Sequence, residues 1–346
     1  MDIKTYITSK DKTVMEVMDL INQNARGVVY VCEDLKLKGI VTDGIIRRHI
    51  LTGGDLDASV SEIMHTDPMF LRHADGIDRD AFMRANKITS VPVLNDKDEI
   101  ITIRFLNAET VHTSSDLNAP VVIMAGGKGE RLKPITQILP KPLVSIDNRT
   151  ITEVIMDGFL EFGCNDFNMI VNYKKDLIKA FFQSNEKGYN VRFTDETEYR
   201  GTAGGLKLLE GMYDNSFFMT NCDIFVDEDY GQIMKHHKEN NDIITLVCAL
   251  KEFTVPYGTI ELSEDGSVKG LTEKPSNRYM VNTGFYVIDP RFLEYIPDNT
   301  FIHITEVIEK CIAAGETVGV YPISENNWWD MGQIDELKTM RDKFNC

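Results

Sequence analysis

The feature that most constrains this chain of 346 residues is a glycine-rich segment directly behind an apolar run near its middle. Residues 120–125 read Pro-Val-Val-Ile-Met-Ala, a pattern that predicts a buried strand. The residues with little or no side chain that follow are Ala125, Gly126, Gly127 and Gly129. The basic residues of the same segment are Lys128, Arg131, Lys133 and Lys141. Because bare backbone N–H groups can approach a polyphosphate closely and basic groups supply charge, the segment predicts a phosphate-binding loop.

Two better-known glycine loops do not fit this segment. A Walker A loop requires Gly-Lys followed by Ser or Thr, whereas Lys128 is followed by Gly129. A dinucleotide fingerprint requires a third glycine, and Leu132 stands at that position. The pattern that remains is G-G-x-G-x-R-L-x-P-x-T, with Lys-Pro-Leu at 141–143.

This pattern resembles the signature of the sugar-1-phosphate nucleotidyltransferases. The resemblance implies an enzyme that transfers a nucleoside monophosphate from a nucleoside triphosphate to a sugar-1-phosphate and releases pyrophosphate. It also implies Mg²⁺, since two anions must be brought together and their charge neutralised. We therefore expect a basic loop, metal-binding carboxylates and a separate sugar-phosphate pocket.

The expected catalytic residues are Arg131, Lys141 and Asp223. A guanidinium can hold the β- and γ-phosphates in a bidentate manner, which suits Arg131, and the point charge of Lys141 would face the α-phosphate. Asp223 follows an apolar run, where an α/β sheet gathers its ligands, and it matches the metal-binding aspartate of the family. Asp330, in Trp-Trp-Asp-Met-Gly, matches the second metal carboxylate.

The same resemblance assigns the two substrates to other segments. Gly201 and Thr202, in a Gly-Thr-Ala-Gly-Gly run, match the element that recognises the nucleobase. The matches to sugar-phosphate contacts are Gly258, Glu273, Lys274 and Asn282.

The amino-acid composition restricts the possible binding partners and the expected cellular compartment. A formal net charge of −17 argues against a nucleic-acid partner, because DNA or RNA would be repelled. The six cysteines are scattered without the spacing of a zinc site or a disulfide framework, which favours a reducing, cytoplasmic location. The sequence contains neither a signal-peptide pattern at its start nor an apolar run long enough for a transmembrane helix, so we expect no membrane association.

The polar stretch 113–119 is the expected domain boundary. Residues 1–113 contain two similar segments of roughly fifty to sixty residues, which indicates an internal repeat. The repeat resembles a pair of CBS modules, which implies a regulatory or oligomerisation role and a possible adenine nucleotide. In the ribose-binding pattern of that family an Asp stands three positions after Thr or Ser, whereas Thr42 is followed at that spacing by Ile45. Packing against the enzyme or self-association is the competing interpretation.

Residues 119–346 alternate strand-like and helix-like runs, which predicts an α/β domain with a mixed, mainly parallel, Rossmann-like sheet behind the small α/β CBS pair. The expected strands are 120–125, 167–172 and 217–221, and the expected helices are 151–159, 176–182 and 205–212.

The combination of the repeat and this loop resembles the CBS-fused guanylyltransferases of bacterial legionaminic acid pathways, which implies GTP and glucosamine-1-phosphate as substrates. Mannose- or heptose-1-phosphate guanylylation and glucose-1-phosphate thymidylylation remain open, as does a catalytically silent regulator that binds a nucleotide-sugar. We also expect a homo-oligomer.

Overall fold

The computed structural model describes residues 3–24, 26–72, 79–106, 117–146, 148–184 and 187–333. The chain divides into two compact units, residues 1–111 and 112–346. None of the helices in the described ranges combines the length and the apolar character that a membrane span requires.

The first unit contains two three-stranded sheets of the same design. In each, a short strand pairs in parallel with the first strand of an antiparallel hairpin, in the orders β1-β2-β3 and β4-β5-β6. The strands are β1 (Ile7–Thr8), β2 (Val28–Glu33), β3 (Lys36–Thr42), β4 (Leu71–Arg72), β5 (Ser90–Leu94) and β6 (Ile100–Phe105). The helices are α1 (Val14–Asn24), α2 (Asp43–Leu51) and α3 (Arg79–Ala85). The two sequence segments therefore fold into two similar β-α-β-β arrangements.

The two halves of this unit share one apolar core. Tyr30 of the first half is fully buried and its hydroxyl lies 2.8 Å from the Oγ atom of Ser90 in the second half. Leu94 and Ile100 pack in the same cluster as Tyr30. Thr42 caps α2, its side chain accepting a hydrogen bond from the backbone N–H of Ile45. The hydroxyl on which the ribose-binding pattern depends is thus engaged in helix capping.

The second unit is built on a seven-stranded sheet in the order β11-β10-β7-β12-β17-β14-β18. Four of its strand pairs are parallel, and β17 pairs antiparallel with both of its neighbours. The strands of this unit are β7 (Val121–Ala125), β8 (Ser145–Ile146), β9 (Arg149–Thr150), β10 (Asp166–Val171), β11 (Asn190–Asp195), β12 (Phe217–Asn221), β13 (Ile224–Val226), β14 (Ile244–Thr254), β15 (Thr259–Leu262), β16 (Val268–Thr272), β17 (Ser276–Ile288), β18 (Val318–Ser324) and β19 (Trp328–Asp330). The expected mixed, mainly parallel sheet is confirmed.

Helices cover the sheet on both faces and divide the apolar interior into two large clusters. The helices of this unit are α4 (Ile135–Ile138), α5 (Ile151–Leu160), α6 (Lys175–Gln183), α7 (Tyr230–Asn240) and α8 (Ile304–Ala313). The start of α5 is fixed by a capping box, in which Thr150 N–H donates to Glu153 Oε2 at 2.7 Å and Glu153 N–H donates to Thr150 Oγ1 at 3.2 Å.

Residues 205–212, expected to form an α-helix, instead form a 3-10 helix over Gly204–Leu209. Two consecutive glycines at its start are poor helix formers, and Gly211 has a φ of +75°, which ends any helical continuation. A short, tight turn at this place leaves the preceding Gly201 and Thr202 close to the sheet edge.

His237 is buried, although the neighbouring polar residues Lys235 and Lys238 favour a solvated face. Its Nδ1 lies 2.9 Å from Thr245 Oγ1 and its Nε2 3.1 Å from Ser216 Oγ, while Thr245 donates to Asp242 at 2.6 Å. Burial lowers the pKa of His237 to about 4, so the ring is neutral near pH 7. This histidine serves the packing of α7 against β14.

Candidate functional site

A cavity of about 530 Å³ opens at the carboxyl ends of β7 and β12. That is where ligands gather in open α/β sheets, and the volume is in the range of small-molecule sites. Sequence-predicted residues in its lining are Gly126, Gly127, Gly129, Arg131, Lys141, Gly201, Thr202, Asp223, Asn282 and Asp330. The fold therefore brings together segments that are up to two hundred residues apart in sequence.

The glycine loop begins where β7 ends. Gly129 has a φ of +67°, and a side chain there would meet Thr136 Cγ2 at 2.8 Å. Thr136 in turn donates from Oγ1 to the Gly129 carbonyl at 2.8 Å. A glycine is required here because the loop turns in the left-handed region and packs directly onto the next helix.

Two cations and two carboxylates form the centre of the cavity wall. The ammonium group of Lys141 is in direct contact with the Asp223 carboxylate. Arg131 donates to Asp330 Oδ2 at 3.0 Å and lies 3.8 Å from Asp223 Oδ2. Asp223 and Lys141 are mostly buried, whereas the Arg131 side chain is 60% exposed. Arg131 thus remains accessible to an incoming phosphate.

The two carboxylates differ in their electrostatics. Burial raises the pKa of Asp223, against the opposing charge of Lys141. Burial by itself would also raise the pKa of Asp330, but a hydrogen bond from Gln333 and the charge of Arg131 outweigh it, so that pKa lies below its usual value. Each carboxylate affects the pKa of the other, so the two titrate together as a pair.

This donor set fits a divalent cation that also binds phosphate. Across the described ranges no group of three or more His, Cys, Asp or Glu side chains is suitably placed for a metal ion, and Asp223 and Asp330 are two carboxylates that line this part of the cavity wall. Mg²⁺ is commonly held by one or two carboxylates together with substrate phosphates and water. A side chain at Gly332 would collide with Asp223 and lie 3.0 Å from Lys141 Nζ, so a glycine keeps this space open.

The cavity wall contains a further carboxylate, Glu196, which the sequence patterns did not indicate. Glu196 follows β11, is 2% exposed and lines the cavity. Its Oε1 accepts the backbone N–H of Arg200 at 2.8 Å, and a side chain at Gly126 would meet its Oε2 at 2.9 Å. Within the described residues Oε2 has no hydrogen-bond partner, and burial raises the pKa of this carboxyl. The available signal was an acidic residue at a strand end, five positions before Gly201.

Gly201 and Thr202 lie beside Glu196, and their conformation is set by the segment before α8. A side chain at Gly201 would collide with the Ile302 carbonyl, and Gly201 has a φ of +82°. Thr202 Oγ1 accepts the backbone N–H of Ile304 at 2.9 Å. These small residues therefore serve the close approach of two backbones, while they also form part of the cavity wall.

Only one of the four predicted sugar-phosphate residues lines the cavity as described. Asn282 does so, and its amide donates to the Tyr286 hydroxyl at 2.8 Å. Among the residues that the structure describes, the other three lie outside the lining on the exposed segment around the β15–β16 hairpin. These three are Gly258, Glu273 and Lys274. Gly258 adjoins Glu273, since a side chain at Gly258 would meet Glu273 Oε2 at 2.9 Å.

The remaining members of the loop lie further from the cavity. Ala125 is 1% exposed within β7 and, like Lys128 and Lys133, is not among the described lining residues. Lys133 forms an ion pair with Glu130. These residues therefore support the loop or lie on its outer surface, and they do not face the cavity.

Comparison with known proteins agrees with this fold. The family model "Nucleotidyl transferase" matches residues 120–345, so the chain belongs to that family. Its relatives include a mannose-1-phosphate guanyltransferase of Aspergillus fumigatus, 36% identical over 229 residues, which are 63% of this chain and 62% of that protein. Another, from Yarrowia lipolytica, is 33% identical over 222 residues, 61% of this chain and 60% of the relative. The chain thus spans about three fifths of the length of these curated relatives.

Solved structures support the fold assignment. HddC from Yersinia pseudotuberculosis superimposes with a TM-score of 0.51 at 22% identity, covering 65% of this chain and 99% of HddC. The same protein complexed with GMP-PN gives a TM-score of 0.50. The nucleotidyltransferase fold expected from the sequence is confirmed.

Proposed function

We propose that this protein transfers GMP from GTP to a sugar-1-phosphate and releases pyrophosphate. In this reaction an oxygen of the sugar phosphate attacks the α-phosphorus of GTP, a new P–O bond forms, and the bond to the β-phosphate breaks with its electron pair leaving on pyrophosphate. The protein's task is to place two anions together and to neutralise the charge that develops.

The charged cluster fits that task residue by residue. The exposed guanidinium of Arg131 would hold the β- and γ-phosphates, and Lys141, fixed between two prolines, would face the α-phosphate. Asp223 and Asp330 would hold a divalent cation, which supplies positive charge to the phosphate oxygens when bound. Lys141 and Arg131 now neutralise both carboxylates, so phosphate binding exchanges one set of ionic partners for another.

Glu196 is the observation that carries the choice of guanine. A buried ionised carboxylate offers acceptors only, and the guanine edge presents two adjacent donors, N1–H and the N2 amino group. Thymine and uracil present a single N–H between two carbonyl oxygens, which a carboxylate would repel. The available Oε2 faces the glycine loop, where the nucleotide must lie if its phosphates reach Arg131.

Glucosamine-1-phosphate is the first candidate for the sugar substrate, by the resemblance of the fused arrangement to guanylyltransferases of legionaminic acid synthesis. Mannose-1-phosphate is the second candidate and is favoured by the names of the curated relatives. For both, Lys274 would bind the sugar phosphate, and Glu273, Asn282 and Gly258 would contact the sugar.

For the first unit we propose a CBS pair that regulates or oligomerises the enzyme, with the boundary at residues 113–119. Its two β-α-β-β halves around a shared core support this assignment. The capping role of Thr42 favours oligomerisation over adenine-nucleotide binding at that position.

The test is pyrophosphate release from the full chain with Mg²⁺, using GTP, dTTP, UTP, CTP and ATP against glucosamine-, mannose-, heptose- and glucose-1-phosphate. We expect release with GTP and glucosamine-1-phosphate above all other pairs. Release with GTP and another sugar would replace only the sugar assignment. No release from folded protein with any pair would contradict the proposal and favour a nucleotide-sugar-binding regulator.

The guanine assignment has its own test in Glu196→Gln. Because an amide oxygen accepts less strongly and its NH₂ group repels a base donor, we expect the KM for GTP to rise about 10- to 100-fold. Glu198→Gln, which changes an exposed carboxylate two residues away, is the matched control. An unchanged preference for GTP in Glu196→Gln would remove Glu196 from base recognition.

A further inference from the structure

We propose that Tyr199 is the stacking platform for the nucleobase, an inference that rests on the proposed function and extends it to a specificity residue. Tyr199 lines the same cavity as Glu196 and Gly126. Tyr199 is 47% exposed, so its ring is accessible to a ligand in the cavity.

The Tyr199 ring contacts the ring of Phe301, which in turn contacts the ring of His303. The centroid of Phe301 lies 6.0 Å away with an interplanar angle of 67°, and the His303 ring packs edge-on against Phe301 at 5.0 Å. Edge-to-face pairs of this kind fix ring orientation. Phe301 is itself 56% exposed, so the cluster is an aromatic wall on the surface rather than part of the core.

The backbone also holds this wall in place. Ile302 N–H donates to the Arg200 carbonyl at 3.0 Å, and Ala203 N–H donates to the Ile302 carbonyl at 3.2 Å. The segment that carries Tyr199 is therefore paired with the segment that carries Phe301. Gly201 allows this approach, because any side chain there would meet the Ile302 carbonyl.

The location of Tyr199 relative to charge agrees with a base-binding role. Burial raises the pKa of Tyr199, and the nearby negative charge of Glu196 acts in the same direction, while Lys141 opposes it. Tyr199 therefore lines the same cavity as the carboxylate that would read the base edge and the lysine that would face the α-phosphate. An aromatic face at that position would contact the π-face of the base while Glu196 contacts its edge.

The experiment measures GTP affinity of the full chain by calorimetry, without sugar-1-phosphate. Stacking on an aromatic ring accounts for a loss of about 5- to 150-fold on truncation, so we expect Tyr199→Ala to bind GTP more weakly by this factor. Tyr199→Phe and Tyr199→Trp keep an aromatic face and should bind as the unaltered protein does. Tyr279→Ala is the matched control, because Tyr279 is similarly exposed and packs against Phe253 at 6.0 Å, outside the described cavity lining.

Tripolyphosphate, which has no base, provides the second arm. We expect its affinity to be the same for Tyr199→Ala and the unaltered protein. The stacking role would be overturned if Tyr199→Ala bound GTP as tightly as the unaltered protein. It would also be overturned if Tyr199→Phe lost as much GTP affinity as Tyr199→Ala. Failure of the unaltered protein to bind GTP at all would overturn the proposed function instead, and so the two failures are distinguishable.

Discussion

The two parts of the proposed active site, a nucleotide end in the cavity and a sugar end outside the cavity lining, are built differently. At the nucleotide end, Lys141 and Asp223 are mostly buried and already paired, and the glycine loop is locked onto Thr136. At the sugar end, Glu273 and Lys274 lie on an exposed segment that follows the two-stranded β15–β16 hairpin and precedes β17. One end is assembled by the core, the other by a peripheral hairpin.

This difference agrees with the chemistry that we propose for each end. Charge stabilisation of a phosphoryl transfer is effective when dipoles and charges are fixed before the reaction, which requires burial. Recognition of a sugar phosphate requires access from solvent and can be completed by the substrate itself. We therefore expect substitutions at the nucleotide end to reduce kcat and substitutions at the sugar end to raise KM.

The largest effect is expected for Asp223→Asn. Loss of one carboxylate charge at the buried end should reduce kcat about 10²- to 10³-fold, measured as pyrophosphate release. Circular dichroism and thermal unfolding should show a folded protein. Asp227→Asn, four residues along and exposed, is the matched control. A kcat within about threefold of the unaltered protein, well below the effect of a lost catalytic group, would contradict the role of Asp223.

Lys274→Ala tests the sugar end. Because a hydrogen bond to a charged group is worth about 1.5–3 kcal/mol, the KM for the sugar-1-phosphate should rise about 10- to 150-fold with the KM for GTP unchanged. Lys269→Ala alters a hairpin lysine that pairs with Glu261 at 2.5 Å and should leave both constants unchanged. If Lys274→Ala raised the KM for GTP as much as the KM for the sugar-1-phosphate, the division of the site into two ends would be wrong.

Packing at the nucleotide end can be compared with an open surface turn. Gly201→Ala introduces a side chain in the left-handed region against the Ile302 carbonyl, whereas Gly188→Ala, at a φ of +77°, meets no atom within 4 Å. Gly188→Ala should cost about 1 kcal/mol and Gly201→Ala about 3 kcal/mol in the free energy of unfolding. If chemical denaturation gave equal losses in the free energy of unfolding for the two variants, the contact between Gly201 and Ile302 would not contribute to stability.

The smallest effect concerns pH. Because burial raises the pKa of Glu196, its carboxyl takes up a proton at a higher pH than an ordinary glutamate. GTP affinity should therefore fall as the pH is lowered through that raised pKa, by up to about tenfold per pH unit. Calorimetry on Glu196→Gln should not show this fall in GTP affinity at lower pH. The same pH profile in both proteins would exclude Glu196 as its origin.

Much of the framework could be predicted from the sequence. The strand before the glycine loop, the helix from Ile151 and the strand Phe217–Asn221 were located within one or two residues, because apolar periodicity and capping are local properties. The glycine loop, Arg131, Lys141 and Asp223 were singled out by their resemblance to a family signature, and the structure brings them together in one cavity wall.

Glu196, Tyr199 and Phe301 could not be found in this way. The sequence around Tyr199 and Phe301 does not distinguish them from surface residues, and the one local signal for Glu196 was its position at a strand end. Their surroundings arise from contacts made across the fold. His237 shows the same limit in the other direction, because a polar local pattern surrounded a side chain that the fold buries.

The sequence by itself indicated the family of this protein and the segment of glycines and cations that lines the cavity, because the residue types of such a loop are set by local geometry and charge. Only the tertiary structure decided that Glu196 is buried in the same cavity wall and that Lys141 pairs with Asp223. It also decided that Gly201 serves a backbone contact with Ile302. Those properties depend on burial and on distances between segments about one hundred residues apart, which no local pattern records.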